Sequence, residues 1–220
     1  MRVTFPRPAE HQESYSVIER DDGVVYRMAG FPGGTGLPHD VRHLVVEREL
    51  RIGDGIWGSI ASGTVYTGMQ HLRGRLNPRL AERSARLAKA QRDRIMCAEL
   101  LAGLVAAVAA LDDPSPAAIE RLTRVKLSVV PLAEPGADPL SVVGCPPPAA
   151  LAAAAEALQV EAARWARLRV GEELVYEWPK PRQPRPPVAR ALRPAAGKTA
   201  HQPLVPRQRG AGSGPFRGRP

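Results

Sequence analysis

The period of hydrophobic and polar positions changes several times along the chain, and each change marks a predicted element. Val3 and Phe5 alternate with polar neighbours, the period of a strand. Two β-prone runs, Tyr15 to Arg20 and Val24 to Met28, flank Asp21-Asp22-Gly23, which is a hairpin signal. From Pro38 the period lengthens. Val41, Leu44 and Val45 fall on one side of a helix predicted over 38–51, with Pro38 suited to its first turn, Asp40 complementing its dipole and Gly53 stopping it. The stretch Gly55 to Met69, built around Trp57, Ile60, Val65 and Tyr66, reads as a short helix followed by a loop.

Asn77-Pro78 opens the longest predicted helix, 79–111. Leu80, Leu87, Ile95, Leu101, Val105 and Val108 recur in it at helical spacing. Its first half is charged and amphipathic; its second half is nearly all Ala, Leu and Val, the composition of a helix buried on most sides. Asp112-Asp113-Pro114 breaks it, and Ser115 caps a further helix that starts at Pro116 and runs to about Val129. A Pro/Gly-rich loop over 131–147 leads to an Ala-rich helix over 148–168. Glu173 to Trp178 then reads as a closing strand. Strands at both ends with helices between them predict an α+β fold. In it, a small antiparallel sheet of the N-terminal hairpin and the C-terminal strand packs on a helical layer.

Charge redraws this picture only at the C-terminal end. The chain of 220 residues has 31 Lys and Arg against 22 Asp and Glu, a formal charge of +9. Ten of those cations and no anion lie between Lys180 and Pro220, so residues 1–179 hold 31 − 10 = 21 cations against 22 anions, a balance of −1. The excess therefore belongs to an appendage. Segment 180–220 is rich in Pro, Arg and Gly without apolar periodicity, so it is expected to be disordered, with residues 1–179 as one globular domain. Its end, from Arg207, is similar to RGG-type segments that bind nucleic acid through charge; weak, non-specific binding to nucleic acid or acidic surfaces is one expectation for it, and an idle solubilising tail is the other.

Other classes are disfavoured. Met1 to Glu10 holds no apolar stretch of the secretory type. The apolar run Leu100 to Leu111, abutted by Glu99, is about half the roughly 20 residues that span a bilayer. Cys97 and Cys145 are far apart without metal-like spacing, and Cys97 sits as a small core residue in a helix. A cytoplasmic, non-membrane protein is expected.

The candidate chemistry lies in Pro38-His39-Asp40-Val41-Arg42-His43-Leu44-Val45-Val46-Glu47. On a helix His39 and His43 are one turn apart on one face, the spacing with which two imidazoles grip one zinc ion. Asp40 stands where H-E-x-x-H metalloproteases carry their general base, and is the candidate catalytic residue. Glu47 continues the face, but at roughly 12 Å from His39 along the axis it cannot share a metal with both histidines. No third ligand is evident; His71 is one candidate. The opposing reading is a polar helix face with hydrogen-bonded histidines. The glycine loop 30–36 runs into the same helix, a phosphate-binding arrangement in principle. It matches no phosphate-loop pattern, and a plain turn is the simpler account.

The stretch Leu37-Pro38-His39-Asp40-x-x-His43-x-Val45-Val46-Glu47, followed by Asp54-Gly55-x-Trp57-Gly58-Ser59-x-Ala61-x-Gly63, resembles a group of uncharacterised actinobacterial proteins. The run around Trp165 and Glu173 to Pro179 is similar too. The resemblance covers roughly residues 15–179 and implies a genuine folded unit; no activity comes with it.

Two functions follow as expectations. The first is a non-catalytic binding or adaptor protein of the bacterial cytosol that meets a protein partner through its helical surface. The alternative is a divalent-metal-dependent hydrolase, with zinc as cofactor, centred on His39, Asp40 and His43.

Overall fold

Alternation of inward apolar and outward polar side chains builds the sheet. In the computed structural model, which describes residues 1–10, 12–30, 36–130 and 138–179, there are five strands: β1 (Arg2–Pro6), β2 (Tyr15–Glu19), β3 (Val25–Ala29), β4 (Met69–Arg73) and β5 (Glu173–Glu177). They pair antiparallel throughout in the order β4-β3-β2-β1-β5. The fold is α+β. Asp21-Asp22-Gly23 makes the expected hairpin turn, with Gly23 at φ 79°. The last strand closes the sheet as expected: Val3 lies opposite Ile18 on one side and Tyr176 on the other, all buried.

The helices are α1 (His39–Glu49), α2 (Ile56–Ser62), α3 (Leu80–Ala109), α4 (Pro116–Ser128), α5 (Pro139–Val143) and α6 (Pro148–Arg167). The long helices α1, α3 and α6 pack on one another. One apolar cluster joins them to the sheet, running from Val3, Phe5 and Ile18 through Val41, Leu44 and Trp57 to Leu101, Val105 and Trp165. Phe5 sits edge-on to both Trp57 and Tyr176, with ring centroids 5.6 and 5.9 Å apart. Cys97 is a free, buried thiol, as its place in an apolar stretch predicts. Among the described residues no helix is long and apolar enough to cross a membrane.

Four local expectations need correction. Strand β4 was not expected, because only Met69 of its five residues is buried and no alternation shows; it is an edge strand held by backbone pairing to β3. Helix α1 is not stopped by Gly53. It ends in a Schellman turn in which the N–H of Ile52 donates to Glu47 O at 2.7 Å and that of Arg51 to Arg48 O at 3.2 Å, and Arg51 takes the left-handed position at φ 55°. Ser115 occupies the N-cap of α4, but its side chain makes no capping hydrogen bond. The loop expected over 131–147 contains α5, capped by Asp138, whose carboxylate accepts from the N–H groups of Leu140 and Ser141. The glycine-loop reading (for 31–35) and the disordered-tail reading (180–220) fall outside the described residues.

Candidate metal centre

Helix α1 presents His39 and His43 as the spacing requires. They lie one turn apart with ring centroids 4.4 Å from each other, and their Nε2 atoms are 3.2 Å apart. The second helix of the site is α3. Its Glu99 extends a carboxylate so that Oε2 lies 3.2 Å from Nε2 of His43 and 4.0 Å from Nε2 of His39. Two imidazole nitrogens and one carboxylate oxygen thus face a common point, all within 4.8 Å of one another.

These separations have a direct meaning. Ligands 2.0–2.1 Å from a tetrahedral ion stand about 3.3 Å apart, so three of the four corners of such a polyhedron are approximated here. The fourth corner faces outward: His43 is 2% exposed, whereas the side chains of His39 and Glu99 are 30% and 39% exposed.

The neighbouring groups brace the histidines. Asp40 is buried and its Oδ1 lies 3.4 Å from Nδ1 of His39, on the ring edge away from the shared point. The indole N–H of Trp57 donates to Asp40 O at 3.2 Å, which ties the first turn of α1 to α2. His43 Nδ1 is buried without a hydrogen-bond partner among the described residues, so the close packing of its ring holds its orientation.

No known protein family, curated protein or solved structure matches this chain.

Of the sequence candidates, the fold brings His39, Asp40 and His43 together and separates the others. His71 does not join them. It lies on the edge strand β4, where its Nε2 is 3.0 Å from Gly74 O and its ring is edge-on to Tyr26. Glu47 turns away from the histidines to cap α2: its Oε1 accepts from the N–H of Ile56 at 2.8 Å and its Oε2 from that of Trp57 at 3.1 Å. Burial pushes its carboxyl up to about 8, against the pull of those backbone donors, and the nearby Glu99 carboxylate adds to the rise. The residue that sequence reasoning missed is Glu99. Its one signal was a carboxylate abutting the longest apolar run, and nothing in linear spacing links it to α1.

Proposed function

We propose that His39, His43 and Glu99 bind one divalent transition-metal ion, zinc by preference, and that the chain is a metal-dependent hydrolase. The observation that carries this is the convergence of the three ligand atoms at separations of 3.2, 3.2 and 4.0 Å. Two histidines with one glutamate are a ligand set of catalytic zinc sites, and three protein ligands leave one position for water. A zinc ion held by these three residues would supply a water acidified enough to act as a nucleophile at neutral pH. Asp40 enters as a positioning residue. Its contact with His39 Nδ1 holds the imidazole tautomer that leaves Nε2 free to ligate.

Elemental analysis of the purified chain is expected to find one zinc, or a competing divalent ion, per molecule. His43→Ala and Glu99→Gln should each abolish retention, while Asp40→Asn should keep the ion but weaken its affinity by about 10-fold or more. A metal-free protein recovered from zinc-supplemented medium would end this reading.

The non-catalytic alternative keeps the same ion as a clamp between α1 and α3, and it is favoured by the origin of the ligands on two packed helices. Cobalt substitution separates the two. An exchangeable fourth ligand shifts the visible spectrum when azide is added, and a closed structural site does not respond.

A further inference from the structure

A second site lies at the other end of α3, away from the metal centre. Leu80 and Glu99 are separated along one continuous helix by roughly 28 Å. At the Leu80 end, the β2–β3 hairpin, the turn after α2 and the first turn of α3 enclose an open cavity of about 380 Å³. Arg20, Tyr26, Arg75 and Arg83 line it together with Leu76 and Leu80.

The guanidinium of Arg20 is the anomaly. Its side chain is only 8% exposed. Asp22 takes its Nη2, while Nε and Nη1 are buried without a hydrogen-bond partner among the described residues. The hydroxyl of Tyr26 is likewise buried without a partner among the described residues, and burial raises its pKa, so it keeps its proton at neutral pH. These atoms are sealed from the open cavity, so a ligand in it would meet Arg20 through Nη2, the atom beside Gly63. Arg83 converges on the same place. A Cβ added at Gly63 would lie 3.5 Å from its Nε and Nη2 and 3.6 Å from Nη2 of Arg20. Two guanidinium groups therefore meet over one glycine, whose missing side chain leaves the space open. The N-terminal end of a 30-residue helix adds its positive dipole to that point.

We propose that this cavity binds the phosphoryl group of a small phosphomonoester. Three arginines and one aspartate line it, a local balance of 3 − 1 = +2. That matches a phosphoryl dianion, whereas a carboxylate would leave one positive charge uncompensated. Forked guanidinium donors suit phosphate oxygens, and they pair with them more strongly than neutral groups do. The volume exceeds what an inorganic phosphate fills, and Leu76 and Leu80 give the remainder an apolar wall for the organic part of the ligand.

The test is calorimetric titration of the full chain with phenylphosphonate, a non-hydrolysable probe, alongside inorganic phosphate and benzoate. Phenylphosphonate should bind most tightly, phosphate more weakly and benzoate weakest. Arg83→Gln removes an exposed side chain from the helix surface, so folding is safe; it should weaken phenylphosphonate binding by about tenfold. Arg20→Gln should weaken it at least as much. His43→Ala should leave it unchanged, which separates this cavity from the metal centre. Absence of phenylphosphonate binding overturns the proposal. So does benzoate binding as tightly as phenylphosphonate, affinity that survives Arg83→Gln, or affinity lost with His43→Ala.

Discussion

Glu47 shows at the scale of one residue how position, rather than residue type, sets chemistry. It continues the histidine face of α1 in sequence, yet its carboxylate is wholly enclosed and spans two N–H groups of α2. Burial pushes its carboxyl from the ordinary 4.5 up to about 8. Between those values the folded chain holds a proton that the unfolded chain has released. Its contribution to stability is therefore complete below about 4.5 and is lost as pH rises through about 8. Urea-unfolding midpoints should show wild type losing stability relative to Glu47→Gln across that window. Parallel pH profiles for the two proteins would refute the assignment. Arg51 makes a second residue-scale case. A side chain at φ 55° is strained where glycine is not. Arg51→Gly should raise the thermal midpoint slightly, because relieved strain of about 1–2 kcal/mol exceeds the roughly 0.4–1 kcal/mol of entropy that glycine adds to the unfolded chain; an unchanged or lower midpoint would show that the strain is relieved elsewhere.

At the scale of elements, α2 is the brace of the site. It is only seven residues long, too short to hold itself together as a helix in water. Glu47 caps its start, and Gly63, at φ 114°, terminates it in the left-handed conformation. Its Trp57 then holds α1 through Asp40 O. The glycines of the Asp54-Gly55-x-Trp57-Gly58 stretch are there for space. A Cβ at Gly58 would lie 2.0 Å from Gly53 O, and one at Gly55 would lie 2.5 Å from Glu47 Cδ. Gly58→Ala must displace backbone, so it should destabilise the fold by roughly 1–3 kcal/mol, read from chemical denaturation. It should also weaken metal retention, since Trp57 would shift with it. A variant that keeps both its stability and its metal would show that α2 does not brace α1.

At the scale of the whole molecule, the sheet is closed by chain ends far apart in sequence. Strand β5 pairs along the full length of β1, and Leu174, Tyr176 and Trp178 bury themselves in the core. The Tyr176 hydroxyl donates to Glu161 Oε2 at 2.6 Å, and Arg164 Nη1 donates to both oxygens of Glu161 at 2.9 Å, so α6 is tied to the same strand. Ending the chain before Glu173 should remove several kcal/mol of apolar burial, at about 1.5–3 kcal/mol per large side chain, and expose one edge of β1. Loss of the cooperative thermal transition, followed by circular dichroism, is the expected result. A truncated chain that melts cooperatively near the wild-type temperature would mean the sheet does not depend on its last strand.

Local pattern alone was enough for most elements. The hairpin around Gly23, the helices α1, α3, α4 and α6, the closing strand and the α+β class follow from periods of 2 and 3.6 and from turn residues, because one-sided burial imposes those periods on contiguous residues. The same argument puts His39 and His43 on one face of α1. Strand β4 left no such trace, since an edge strand is specified by its partner's backbone more than by its own side chains. The third group of the site was invisible for a related reason. Glu99 reaches His43 only because α1 and α3 pack side by side, and linear spacing carries no information about which helices meet. Packing likewise turned Glu47 from a neighbour of the histidines into the cap of α2, and it brought Arg20 and Arg83 together over Gly63. The sequence determined which residues face inward. The tertiary structure decided which polar groups share a point in space, because that depends on contacts between elements that no local period encodes.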